Sequence, residues 1–316
     1  MTIENAAFER YRRSPNEKTT LLRLLLGTAI VVAFWVAMTF AVLFGGTYAY
    51  IVWRLPGPST GHYVQDFLAS PIGILSALTS FAGIWIGLWA AMRFLHGEPL
   101  SALFGAGRRV ARGDFLKGLV AVLITSLFSE VLIYWLQPEI ARGSIAFSSW
   151  LLFLVPIALL ALLQTSSEEA LFRGYLLRGL AKRFESPLIW ALVPALLFTS
   201  LHWNSASTLA INACVMVSIG AFALLLTLLV HATGNLGAAF GAHLANNLTG
   251  FLLISHQESY NSFALFNAKS LEGPGWTNWD AALIAAIGIV STLLTMLLLL
   301  HPRSPLRVNQ RDATLA

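Results

Sequence analysis

Eight long apolar windows, at about 21–46, 72–92, 118–136, 149–166, 188–202, 208–230, 236–254 and 279–300, run almost from end to end of this 316-residue chain. Most are near the roughly 20 residues that a helix needs to cross a hydrocarbon core. Lipid offers the backbone no water to bond, so such spans must be helices that satisfy their own amides and carbonyls. Charged residues make up 11% of the chain and apolar ones 57%, against about 25% charged in a soluble domain. The expectation is an all-α fold, a polytopic membrane helical bundle of about eight transmembrane helices. The fifth window is short, ends at His202, and is expected to be interrupted or half-buried in the bundle.

Basic residues give the orientation. With the N-terminus in the cytoplasm, the inner segments hold Arg10, Arg12, Arg13, Lys18, Arg23, Arg93, Arg108, Arg109, Arg112, Lys117, Arg173, Arg178, Lys182, Arg183, Arg303, Arg307 and Arg311. The outer loops hold only Arg54, Arg142 and Lys269. That asymmetry is the positive-inside pattern, and Trp53, Trp135, Trp150, Trp203 and Trp279 fall at the outer ends as an interfacial belt would. A multi-pass protein of the cell membrane with both termini cytoplasmic is expected. The net charge of +5 belongs to this topology, so no nucleic-acid partner is expected. Cys214 is the single cysteine, which excludes an intrachain disulfide and a cysteine-based zinc site. The stretch Leu21–Trp53 is far longer than a signal-peptide core and reads as an uncleaved first span.

Charged groups inside such a bundle are the informative anomaly, because each costs about 2.5–3.5 kcal/mol at a helix centre. Residues 164–183 continue the fourth span without a proline, so Glu168, Glu169 and Arg173 are expected on one long helix. Glu169 and Arg173 are four apart and can pair on one face. Glu168 is turned about 100° away, towards a different neighbour. His202 ends the fifth span, and His243 lies in the seventh with Asn247 one turn further on the same face. Each histidine alone could be a packing residue, and the two glutamates alone a solvated helix end. His62, His96, His231, His256 and His301 fall in loops or at span ends and read as surface residues. Glu130, in the third span, either lines the cavity or bonds a neighbouring helix.

In order, Glu168-Glu169-x-x-x-Arg173, Phe198-x-x-x-His202 and His243-x-x-x-Asn247 resemble the three motifs of the CPBP intramembrane proteases, also called the Abi family, which includes the type II CAAX prenyl endopeptidases. The stretch Thr233-Gly234-Asn235-Leu236-Gly237-Ala238 is similar to the region of the third motif. The resemblance covers about residues 150–255. It implies an interior polar active site and hydrolysis of a peptide bond, in a peptide or protein substrate at the bilayer, by a glutamate-activated water. Glu168 would be the general base and His202 would help hold the water. His243 and Asn247 would stabilise the oxyanion, a role worth about 3–4 kcal/mol per donor, with Glu169 and Arg173 in support. The spans and the charge pattern give a cytoplasmic tail over 1–20 and membrane helices over 21–147, with an amphipathic cytoplasmic segment near 99–114. A catalytic core over 148–255 follows, then an outer loop and last membrane helix over 256–300 and a cytoplasmic tail over 301–316.

Other readings use the same residues. Glu168, His202 and His243 could ligate zinc as a Glu-His-His set, although there is no His-Glu-x-x-His spacing; no cofactor is the favoured expectation. A non-proteolytic membrane binding or immunity protein would use the cluster as a recognition pocket. A proton-coupled transporter is disfavoured by the lack of an internal repeat. The sequence leaves the substrate, its prenylation and the oligomeric state open.

Overall fold

Phe44, Trp135, Leu152 and Leu209 each stand more than 70% exposed on helix surfaces. They are part of a broad apolar exterior that suits lipid and not water. The computed structural model describes residues 6–54, 63–136, 139–257, 261–273 and 275–308. In chain order its helices are α1 (Ala6–Arg13), α2 (Leu21–Arg54), α3 (Tyr63–Ala69), α4 (Pro71–Ser80), α5 (Ala82–Ala90), α6 (Arg112–Leu136) and α7 (Phe147–Glu169). They continue as α8 (Leu177–Arg183), α9 (Val193–Ser200), α10 (Leu209–Thr233), α11 (Gly237–Leu248) and α12 (Asn278–Leu300). Wider π turns follow α5 (Ala91–His96), join α7 to α8 (Ala170–Leu176), lead into α9 (Leu188–Leu192) and follow α11 (Thr249–Leu253).

Local chemistry fixes several ends. Thr208 caps α10 by accepting the Ile211 amide, and Thr277 and Asp280 form a capping box on α12. Helix α10 stops at Gly234, whose φ of 61° is left-handed and where an added Cβ would collide with the Ala7 carbonyl.

Helix α11 is the hub. Every residue from Gly237 to Ala245 is buried. A Cβ added at Gly118 of α6 would collide with the Ala238 carbonyl, and one at Gly241 with the Phe115 carbonyl. The two helices therefore meet at backbone distance, through the small residues that membrane helix pairs use.

Among the described residues, six helical stretches are long and apolar enough to cross a membrane: Leu21–Trp53, Pro71–His96, Arg112–Leu136, Phe147–Arg183, Leu209–Thr233 and Asn278–Leu300. The expected count of about eight included the fifth and seventh windows, which form shorter segments. The fifth is Leu188–Ser200. The seventh is α11 with its π turn, whose first nine residues are enclosed by protein.

The segment near 99–114 is not an amphipathic helix. It is one 3-10 turn, Leu100–Leu103, then a loop to α6 in which Arg108 takes a φ of 56°. Ala102 and Leu103 are buried and Gly105 pairs with Asn235, so its apolar side chains serve the protein interior and not a lipid surface. Nor is the start of the chain a solvated tail: Phe8 and Tyr11, three apart on α1, are buried, with Phe8 against Trp190 and His231.

The connection after 255 carries strands β2 (Ile254–Ser255) and β3 (Phe266–Asn267). With β1 (Ala141–Arg142) they form a small sheet in the order β1-β3-β2. β1 runs antiparallel to β3, with Ala141 opposite Asn267, and β2 runs parallel, with Ile254 opposite Phe266. His62, Pro274 and Arg311 lie outside the described residues.

Candidate active site

Glu168 and Glu169 are the last two residues of α7, and the π turn that follows is buried at every position. Arg173 lies in that turn. Its Nη1 donates to Glu169 Oε1 at 2.9 Å, and both side chains are fully buried. Its Nη2 donates to the Ala223 carbonyl of α10 at 3.0 Å. The guanidinium carbon sits 4.6 Å from the centre of the Phe198 ring.

His243 stands between the two glutamates. Its Nδ1 is 2.9 Å from Glu169 Oε1 and its Nε2 is 3.6 Å from Glu168 Oε2. A carboxylate only accepts, so Nδ1 carries the proton and Nε2 is turned to Glu168. The 100° between neighbouring residues was expected to send Glu168 to another partner. Both carboxylates reach the same ring because the two imidazole nitrogens face opposite ways. Glu169 is thereby fixed by a cation and an imidazole, whereas the Glu168 side chain stays 13% exposed.

Asn247 is one turn beyond His243 and reaches α7, where its Nδ2 is 3.4 Å from Gln164 Oε1. Gln164 also hydrogen-bonds the Glu168 side chain, so it links Asn247 to the acid. The sequence signal for Gln164 was its place four residues before Glu168, on the same face.

His202 lies just past α9, half-buried, with Nδ1 3.0 Å from the Phe198 carbonyl. Phe198 has the larger role. Its ring centre is 4.7 Å from that of His202, 5.6 Å from His243 and 5.3 Å from Phe172. With Arg173 also over its face, one aromatic ring positions four neighbours. Its conspicuous place in the second motif was the available signal.

Two groups lie elsewhere. Glu130 pairs with His256, whose Nε2 is 3.0 Å from Glu130 Oε2, apart from this cluster. His96, read as a surface residue, is buried and bonded to Tyr175 Oη at 2.8 Å. It closes the end of one π turn against the next, which a linear sequence does not reveal.

Among the described residues no group of three His, Cys, Asp or Glu side chains is arranged to hold a metal ion. The site is a polar chain from Asn247 through Gln164, Glu168, His243 and Glu169 to Arg173, joined by hydrogen bonds except at the 3.6 Å gap between Glu168 and His243.

Residues 146–249 match the family described as type II CAAX prenyl endopeptidase Rce1-like. That stretch supplies every residue of the polar chain. A relative from Bacillus subtilis (strain 168), described as uncharacterized protein YyaK, is 26% identical over 209 residues, 65% of this chain and 68% of the relative. No solved structure matches. The segment that builds the site is thus similar to the Rce1-like endopeptidases, and with six long apolar helices this points to a multi-pass membrane protein of peptidase type.

Proposed function

We propose that the chain is an intramembrane endopeptidase in which Glu168 activates a water against a peptide bond at or near the membrane. The observation that carries this is the unequal state of two adjacent acids. Glu169 is fully buried in its ion pair, while Glu168 keeps an oxygen partly open and 3.6 Å from His243 Nε2. Such a distance is too long for a good direct hydrogen bond and leaves both groups able to bind one water lying beside the gap.

Glu168 takes one proton of that water as the oxygen attacks the peptide carbonyl, and His243 Nε2 steadies the second. The tetrahedral oxyanion is stabilised by Asn247 Nδ2 on the open side, while His202, whose Nδ1 proton is committed to the Phe198 carbonyl, offers Nε2 as an acceptor that helps hold the water. Glu168 then returns its proton to the departing amine, so the peptide bond breaks with water added and no other reactant consumed. We favour water activated by Glu168 without a metal, because among the described residues no three His, Cys, Asp or Glu side chains are grouped to hold one. The partners are a peptide or protein substrate and the bilayer.

The deciding comparison is between membranes holding wild-type protein and the Glu168→Gln variant, by quantitative proteomics of newly formed peptide termini. General-base loss typically lowers rate about 100- to 10,000-fold, so a set of termini should vanish in the variant. Identical profiles from equally expressed proteins would move the non-proteolytic binding reading ahead.

A further inference from the structure

Residues 6–19 form a strap across the foot of the helix that carries the acids. Arg178 Nε donates to Ser14 Oγ at 2.9 Å, and Lys182 Nζ donates to the Pro15 carbonyl at 2.6 Å. The Asn16 amide donates to Glu98, which also pairs with Arg178 at 2.7 Å. These ties hold the strap to α8. One further tie reaches the π turn itself. Tyr11, fully buried, donates its hydroxyl to the Leu103 carbonyl at 2.7 Å, and the same oxygen lies 3.3 Å from the carbonyl of Arg173 and 3.4 Å from that of Gly174.

That location has consequences for chemistry. A π turn is wider than an α turn and bonds five residues back, here from the Leu177 amide to the Phe172 carbonyl, and such turns are marginal unless supported from outside the helix. Arg173 is the residue whose backbone Tyr11 touches and whose guanidinium fixes Glu169. Glu169 in turn fixes the Nδ1 proton of His243, so a shift of the turn passes in two contacts to the imidazole facing Glu168. Burial pushes the Tyr11 phenol above its ordinary range against the opposing pull of Arg178, which keeps it a hydroxyl donor throughout the working pH range.

We propose that Tyr11 is a positioning residue of the site, its hydroxyl setting the π turn that aims Arg173, Glu169 and His243. The kinetic part rests on the peptidase reading; the structural coupling does not. Tyr11→Phe keeps the ring and removes only the hydroxyl. Ser14→Ala loosens the same strap without touching the π turn and serves as the comparison.

The experiment uses the full chain in lipid nanodiscs. It follows the imidazole nitrogen resonances of His243, assigned by His243→Asn, together with kcat, KM and the thermal midpoint. Tyr11→Phe should shift the His243 resonances and lower kcat roughly 3- to 10-fold, since small misplacements of reacting groups act on the chemical step. KM should hold, the midpoint should fall no further than in Ser14→Ala, and Ser14→Ala should leave the His243 resonances in place. An unmoved His243 signal overturns the proposal, as does an unchanged kcat, an equal shift in Ser14→Ala, or a kcat loss that merely follows a lower midpoint. If the wild type shows no Glu168-dependent cleavage, the peptidase reading fails instead, and the His243 resonances still decide the role of Tyr11.

Discussion

Removing the Arg173 guanidinium while keeping its unbranched apolar stem, as Arg173→Met, leaves Glu169 a buried carboxylate without its cation. The pair is 2.9 Å long and both side chains are fully buried, so water does not screen it. Breaking such a pair from one side costs about 3–5 kcal/mol. The contact with Phe198 and the bond to Ala223 are lost in the same step. Glu169→Gln should be similarly harmful, because it leaves the cation buried alone. The double variant Glu169→Gln/Arg173→Met removes both charges and keeps an acceptor for His243, so it should recover at least about 2 kcal/mol relative to the sum of the single losses. Equilibrium unfolding of the four proteins in mixed micelles, read by circular dichroism, gives the cycle directly. An Arg173→Met loss below about 1 kcal/mol, or a double variant no better than the summed singles, would refute the claim that this pair neutralises the second glutamate.

Two further outcomes follow from the same contacts. Gln164→Leu keeps volume but removes the bonds to Glu168 and Asn247; a hydrogen bond to a charged group is worth about 1.5–3 kcal/mol, so kcat should fall roughly 10- to 100-fold, and a change within twofold would remove Gln164 from the polar chain. Burial alone would raise the Glu98 carboxyl, but the Asn16 amide and the Arg178 guanidinium more than offset it and hold it below the ordinary glutamate range. Its contribution to stability is therefore complete above the unfolded value, near pH 4.3, and is lost as pH falls through the lower folded value. The unfolding midpoint of wild-type protein should drop more steeply in acid than that of Glu98→Gln, and parallel curves would contradict the assignment.

The helical character of the fold was legible because lipid leaves the backbone no alternative, and the four-residue spacing placed Arg173 within reach of Glu169. What spacing could not give was direction between helices. Glu168 and Glu169 diverge on their own helix, and only the position of α11 between them shows that both meet His243. The same limit hid Gln164, an unremarkable amide until Asn247 arrives from another helix. Tyr11 was hidden for a different reason: a charged N-terminal stretch reads as a tail, and two large side chains, Phe8 and Tyr11, are too few to register as a buried face. The 99–114 loop misled in the opposite sense, since its arginines suggested a lipid surface while Ala102 and Leu103 turn inward.

The two windows that fall short of a full span are also the two that bring the site histidines, and for His243 this follows from one physical requirement. A histidine that must reach a carboxylate inside the bundle needs a helix surrounded by protein, which α11 achieves with nine consecutive buried positions. A helix so enclosed need not run the depth of the hydrocarbon. It is also free to leave regular α geometry, because irregular backbone at membrane depth is tolerated where protein covers it. The π turns after Glu169, before α9 and after α11 all flank elements that carry site residues. Each changes the phase of a helix that would otherwise repeat every 3.6 residues. Regular, lipid-facing spans such as α2 and α12 thus hold the bundle in the membrane, while the short and irregular ones aim its chemistry.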